Sequence, residues 1–351
     1  MRDVAQNLTR VSPIVLSTPG AAELRPARGA LPVRSVAAYG APGAFTPAFS
    51  ANLRAAAWVL LRSRASCWHF VFAPNARTSR AGKILRRARG VPVVQTVASP
   101  PRSFAHPQSL FFGDVLVAQS RWTQKAIETG YEGCGVPAPR IEVIPPPVPD
   151  LTLPSLADVA AVRRDLGLEP EQRYLLYPGD LETSSGADAT AALAERVPTV
   201  MPEVVTVFAY RRKSERAAEV AARLAARLPA AHTRLVENAP NILALLAGAA
   251  AVVFPVDDLW GKVDLPIVLL EAMALGVPVL VLDQGPLQDL EGVLKVPSLD
   301  AASWLFEVQS LLADPERCAA MVSSQRAALA ERHRAAVVAR AYEDLYLELI
   351  A

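Results

Sequence analysis

Eighteen consecutive residues, Leu265 to Leu282, carry a single charge, that of Glu271. Pro266 suits the first turn of a helix and Gly276 its left-handed exit. Val279 to Leu282 then reads as a strand buried on both faces, as in a parallel sheet. Gly276, Pro278 and the central carboxylate divide the run into a helix and a strand, which argues against a membrane span. The helix is apolar almost all round, so burial is expected. A carboxylate in its middle is costly unless something answers it. Either it makes a structural ion pair or reaches the surface, or it lines a cleft and accepts hydrogen bonds from a ligand's hydroxyls.

With 351 residues, 52% of them hydrophobic and 20% charged, the chain is expected to form two globular domains and not a disordered segment. The formal net charge of +2 is unevenly divided. Residues 1–150 hold 18 Lys and Arg against 7 Asp and Glu, and the remainder holds 18 against 27. The first half is therefore expected to meet something anionic, unless its charge is simply a solvated face. Cys67, Cys134 and Cys318 are far apart and odd in number, which fits neither a disulfide framework nor a metal site. A cytoplasmic setting is expected. No secretory leader is read, so any membrane contact would be peripheral, at the inner face.

Apolar β-type runs alternate with helical stretches throughout, the pattern of α/β parallel sheets. The expected strands of the first half are Pro13–Leu16, His69–Phe72, Val91–Thr96, Asp114–Ala118 and Arg140–Ile144. Those of the second are Arg173–Tyr177, Val204–Phe208, Thr233–Val236, Ala251–Phe254 and Val279–Leu282. Helices are expected at Ala51–Arg62, Ser79–Arg89, Ala187–Arg196, Ser214–Leu228 and Ile242–Ala247. The proline-rich stretch Pro145–Pro149 reads as a stiff linker. The expected division is residues 1–150, residues 151–330, and a final helix over 331–351 that packs back across both domains.

The segment Lys262-Val-Asp-Leu-Pro-Ile-Val-Leu-Leu-Glu-Ala-Met-Ala-Leu-Gly-Val-Pro278 resembles the signature of family 4 (group 1) glycosyltransferases, retaining enzymes of the GT-B fold. That signature has a Glu, seven residues, a second Glu, then Ala-Met-Ala-x-Gly-x-Pro-Val. The resemblance implies two Rossmann-like doubly wound domains facing across a cleft, with Glu271 on the ribose hydroxyls of a nucleotide-sugar donor. An ionised carboxylate is a double acceptor suited to a vicinal diol. The first Glu of the pattern falls at Val263, and the flanking Lys262 and Asp264 are its candidate substitutes.

Tyr177-Pro-Gly-Asp-Leu-Glu-Thr-Ser-Ser-Gly-Ala187 is similar to the family's strand-to-helix turn, whose backbone N–H groups attract the donor phosphates. Gly179, Asp180 and Leu265 are therefore donor-side candidates. The family's Arg and Lys are Asp180 and Ser185 here, and Arg211, with Arg212 and Lys213, is the replacement source of positive charge. Phe112–Ser120 and Arg140–Pro146 are similar to two further family segments. Ala98 stands where many members carry a His, which leaves His106 as the acceptor-side catalytic candidate beside Asp264; His69 reads as structural. The family's first strand and glycine-rich loop have no counterpart, since the chain opens on a helix end at Asp3–Thr9.

Arg80, Lys83 and Arg87 are spaced to share one helix face, a candidate contact for an anionic membrane surface. Nucleic acid is not expected, because aromatics do not interleave with these arginines. The resemblance implies a glycosyltransferase that moves a sugar from a nucleotide-diphosphate donor to a lipid-linked or glycan acceptor, with retention, without a metal and without a further cofactor. The alternative is a catalytically silent relative that binds a nucleotide sugar or partners an active transferase. A nucleotide-sugar epimerase ranks third, for want of visible acid and base residues.

Overall fold

A computed structural model describes residues 1–18, 24–38, 49–212 and 214–351. The elements of the first part are α1 (Arg2–Gln6), β1 (Ile14–Ser17), β2 (Arg34–Ala37), α2 (Phe49–Arg62), β3 (Trp68–Phe72), α3 (Ala76–Arg89), β4 (Val93–Val97), α4 (Pro107–Leu110), β5 (Val115–Ala118), α5 (Arg121–Glu132) and β6 (Arg140–Val143). The second part follows with α6 (Leu156–Asp165), β7 (Arg173–Tyr177), α7 (Gly186–Val200), β8 (Val204–Tyr210), α8 (Glu215–Arg227), β9 (Thr233–Glu237), α9 (Ile242–Ala247), β10 (Ala251–Phe254), α10 (Ile267–Ala274), β11 (Val279–Leu282), β12 (Leu294–Val296), α11 (Ala301–Ala313) and α12 (Pro315–Ala328). A π-helical turn, Leu329–His333, leads into α13 (Ala335–Ile350). The expected alternation of strands and helices in parallel sheets is what the structure shows.

The chain forms two compact units. Unit 1 is Met1–Pro149 with Gly261–Asp264 and Arg332–Ala351; unit 2 is Asp150–Trp260 with Leu265–Glu331. Unit 1 thus includes the whole of α13 and four residues of the segment 151–330.

Unit 1 holds a parallel sheet ordered β3-β4-β5-β6, and β1 pairs with β2 as a separate parallel ribbon. Because side chains alternate across a strand, Val94, Val115 and Val117 cluster with Val4 and Leu8 of α1 and with Val338, Tyr342 and Tyr346 of α13. Val93 packs instead with Val59, Leu85 and Phe112, on the α2 and α3 side. Leu116 and Val97 meet Ile127 and Tyr131 of α5. Glu343 of α13 is only 2% exposed. Its carboxylate accepts the backbone N–H groups of Thr9, Arg10 and Val11 and the Thr9 hydroxyl. Burial opposes its charge, yet these donors outweigh that cost and hold its pKa below the usual range. His69, read as structural, is so: its ring nitrogens lie 2.6 Å from Tyr346 Oη and 2.7 Å from Thr96 Oγ1. Burial lowers its pKa to about 3.

Unit 2 is built on a six-stranded parallel sheet, ordered β12-β11-β10-β7-β8-β9. Every residue of β8, β10 and β11 is buried, as expected for a parallel sheet covered on both faces. The chain runs outward from β7 through β8 to β9, then returns to the other flank of β7 with β10. The order thus reverses between β7 and β10. In open α/β sheets, ligands bind outside the carboxyl ends of the strands at such a reversal.

Candidate functional site at the sheet reversal of unit 2

Two loops leave the carboxyl ends of the reversal strands: Pro178–Ser185 after β7 and Pro255–Pro266 after β10. The first begins as a tight turn over Tyr177. A Cβ on Gly179 would come within 2.3 Å of the Tyr177 ring, so only glycine fits. Tyr177 Oη donates to the Asp180 carbonyl oxygen at 2.8 Å, and Asp180 Oδ1 accepts the Thr183 N–H at 3.1 Å. Asp180, which stands at the position of the family's cation, is buried and organises the turn. At the next step Ser185, the residue before α7, donates its N–H to Asp257 Oδ1 at 2.8 Å.

The second loop leads into α10. The apolar run forms this helix and ends as the sequence predicts. Gly276 takes φ +78°, its N–H bonds the Met273 carbonyl, and the Val277 N–H bonds that of Ala272. Two crossed bonds of this kind make a Schellman exit. With its amide oriented to satisfy both groups, Gln325 of α12 donates to the Val277 carbonyl at 3.1 Å and accepts the Val279 N–H at 2.9 Å. Leu269, Leu270, Ala272 and Met273 are buried, which fixes the helix against the sheet.

Glu271 projects from this helix half-buried. Among the described residues, its carboxylate has no hydrogen bond or ion pair. Burial raises its pKa, and the Arg211 guanidinium acts in the opposite direction. The structure therefore brings two sequence-derived candidates into one electrostatic neighbourhood. Arg211 follows β8 and is exposed. Arg212 is occupied by Glu215 at 2.6 Å, and Lys213 lies outside the described residues.

Other candidates are placed differently. Asp264 has no exposed surface; its Oδ2 accepts the Ser120 hydroxyl at 2.7 Å, while the same oxygen of Ser120 caps α5 through the Thr123 N–H. Asp264, expected to meet the donor or a reacting group, is thus enclosed and engaged with Ser120 in this structure. Leu265 is buried and Lys262 half-buried. His106 is exposed and precedes the short α4, where its carbonyl accepts the Ser109 N–H. On α3, Arg80 and Arg87 are exposed, but Lys83 donates to the Gln108 carbonyl. The shared basic face is thus reduced to the two arginines, with the exposed Ile84 between them. Asp257 was missed by sequence reasoning. Its hydrogen bond spans 72 residues, and no local pattern signals it.

Among the described residues, no helix is long and apolar enough to cross a membrane. Nor is there a group of three His, Cys, Asp or Glu suited to a metal ion.

A parallel α/β sheet with paired loops at its order reversal is a doubly wound domain, whose ligands lie outside the carboxyl ends of the reversal strands. Residues 158–328, most of unit 2, match the family model of glycosyl transferases group 1. The chain is also similar to a D-inositol 3-phosphate glycosyltransferase of Segniliparus rotundus, 29% identical over 191 residues. That alignment covers 52% of this chain and 41% of the relative, so the chain matches about two fifths of the relative's length. Among solved structures, Anabaena HepE in complex with UDP-glucose has a TM-score of 0.68 at 16% identity, covering 92% of this chain and 87% of that one. Sucrose-phosphate synthase from Thermosynechococcus elongatus has a TM-score of 0.70 at 17% identity, covering 96% and 88%. The chain shares the α/β fold of these glycosyltransferase-like structures, with parallel sheets in both units.

Proposed function

We propose that the protein is a nucleotide-sugar-dependent glycosyltransferase that binds its donor on unit 2 and its acceptor, a lipid-linked or glycan molecule, on the basic unit 1. The observation that carries this reading is Glu271: a half-buried carboxylate without a protein partner, on the helix that follows a reversal strand. Such a group offers two acceptor oxygens to a ribose diol. Arg211 helps keep it charged and is close enough in the same unit to oppose charge on a leaving diphosphate. HepE bound to UDP-glucose lends support to a nucleotide-sugar donor. The proposal includes retention of configuration at the transferred carbon, and charge stabilisation by side chains and backbone N–H groups without a metal or other cofactor. It also includes a cytoplasmic location with peripheral contact at an anionic membrane through Arg80 and Arg87.

Calorimetric titration with uridine, guanosine and adenosine diphosphates tests the donor site. One of them binds the wild type, and Glu271→Ala weakens it about 10- to 100-fold, the value of a charge-assisted pair of hydrogen bonds. Equal binding by both proteins rejects the assignment. Turnover of a labelled sugar nucleotide with lipid extracts then decides whether the protein transfers sugar. The second reading, a silent relative, is favoured by Asp180 and Ser185 at the two cation positions and predicts binding without turnover.

A further inference from the structure

The strands of unit 1 fall into two groups that do not join. β1 and β2 form a parallel ribbon, β3 to β6 a parallel sheet, and among the described residues no backbone hydrogen bond links β1 to β3. Yet both strands border the same core. Leu16 of β1 and Phe70 and Phe72 of β3 pack against the cluster on the α2 and α3 side. Val11 and Cys67, which precede the two strands, pack against the cluster on the α13 side.

Composition separates edges suited to water from edges that are not. Charge on an edge strand discourages further pairing. The outer strands β2, β6, β9 and β12 carry Arg34, Arg140, Arg234 and Lys295. β1 (Ile-Val-Leu-Ser) and β3 (Trp-His-Phe-Val-Phe) carry no Lys, Arg, Asp, Glu or Pro, and Ile14 and Val71 are exposed. These two have the composition of interior strands, but each has an open edge. Unit 2 supplies an internal template. Its first strand, β7, lies between its second, β8, and its fourth, β10, and leads through α7 into β8. In unit 1 the helix α1 leads into β1, and β2 and then β3 follow. A helix that leads into a parallel strand is the crossover of a βαβ unit. A strand before α1 therefore takes, between β1 and β3, the place that β7 holds in unit 2. α1 also begins near β3. The Met1 amine is close enough to His69 to lower its pKa, after the larger effect of burial.

We propose that unit 1 has a seat for one further parallel strand between β1 and β3, and that its occupant is an apolar segment of the natural chain leading into α1. The segment joins ribbon and sheet into a single sheet whose order reverses at the seat, as unit 2 reverses at β7. Because ligands of doubly wound sheets lie at such a reversal, filling the seat also gives unit 1 its binding crevice. The proposal concerns the unit 1 sheet and is judged apart from the nucleotide reading of unit 2.

Hydrogen exchange on the full chain tests it. The chain is compared with a form extended before Met1 by a valine-rich probe strand of about six residues on a short glycine link, and with a proline-rich control extension, which cannot donate to a ladder. The amides of both β1 and β3 are expected to exchange at least about tenfold more slowly in the valine form, and to be unchanged in the control. Slowing in only one of the two strands, or in neither, overturns the inference, as does equal slowing by the control. Exchange in β1 and β3 of the unextended chain already as slow as in β5 also overturns it, because the seat is then closed. If the fused form does not fold, the probe strand is added to the unextended chain as a free peptide. Protection of both strands that rises with its concentration supports the seat, and none rejects it.

Discussion

Arg211 draws the Glu271 carboxyl toward its charged form, against the burial that raises its pKa. Arg211 follows β8 and Glu271 lies on α10, so their electrostatic coupling is a product of the fold. Arg211→Ala should raise the Glu271 pKa further. A raised carboxyl is ionised only above its folded value, so nucleotide binding that needs the anion should fade at a higher pH in the variant. Carboxyl NMR titration of Glu271 reads this directly. A midpoint that does not move would show that Arg211 has no hold on the group.

Acid stability should respond through two groups whose pH windows open at different points. His69 keeps its proton off down to about 3 because it is buried. The unfolded chain takes that proton near 6.5, so stability is lost progressively from about pH 6.5 downward, at roughly 1.4 kcal/mol per pH unit. Glu343 is depressed, so its contribution is complete above about 4.3 and is lost as pH falls through its lower folded value. Thermal melts should therefore show a flatter profile between pH 6 and 4 for a variant without the His69 imidazole, such as His69→Asn. Glu343→Gln should be about 1–3 kcal/mol less stable at pH 7, with the difference shrinking below pH 4. A constant difference down to pH 2 would refute the Glu343 account.

Gln325 is fully buried, and its amide serves two backbone groups that flank Pro278. Gln325→Ala strands both the Val277 carbonyl and the Val279 N–H. A loss of about 2–4 kcal/mol in chemical denaturation is expected, together with weaker nucleotide binding, because α10 is anchored through its exit. Gln325→Glu should be tolerated less well than a change at the exposed Glu316. A melting temperature unchanged by Gln325→Ala would remove this anchor from the account.

Association with anionic vesicles should depend on Arg80 and Arg87, the exposed arginines on either side of Ile84. The double change Arg80→Glu with Arg87→Glu should lower the partition coefficient at least about fivefold per site, given about 1 kcal/mol for each basic residue near such a surface. High salt should produce a similar loss in the wild type. Co-sedimentation with phosphatidylserine vesicles and with neutral vesicles measures both. Equal binding to the two vesicle types would end the proposal.

Much of unit 2 was legible because its signals are local. The expected bounds of β7, β10 and β11 coincide with the observed ones, since each is a short, mostly apolar run closed by Pro or Asp. β2 and β12 were not foreseen. Arg34–Ala37 has no apolar run, and Leu294–Val296 is three residues long with a lysine at its centre. Both gain their regularity from a neighbouring strand and not from their own composition. Glu271 stood out because one charge in eighteen residues is visible by inspection. Asp257 and Glu343 look like ordinary surface acids in the sequence, and Asp264 stood out through the resemblance but not as a partner of Ser120. Their roles depend on partners 72, 144 and more than 330 residues away, a distance over which spacing carries no information.

The contribution of α13 to unit 1 sets an order on assembly. Tyr342, Tyr346 and Val338 close one face of a sheet whose strands lie before residue 150. Among the described residues, the amides of Thr9 to Val11 find their acceptor on Glu343. While the ribosome is still reading unit 2, the first half of the protein exists with one side of its sheet uncovered. It must wait, or be sheltered, through the synthesis of some 180 intervening residues before the last twenty arrive to complete it.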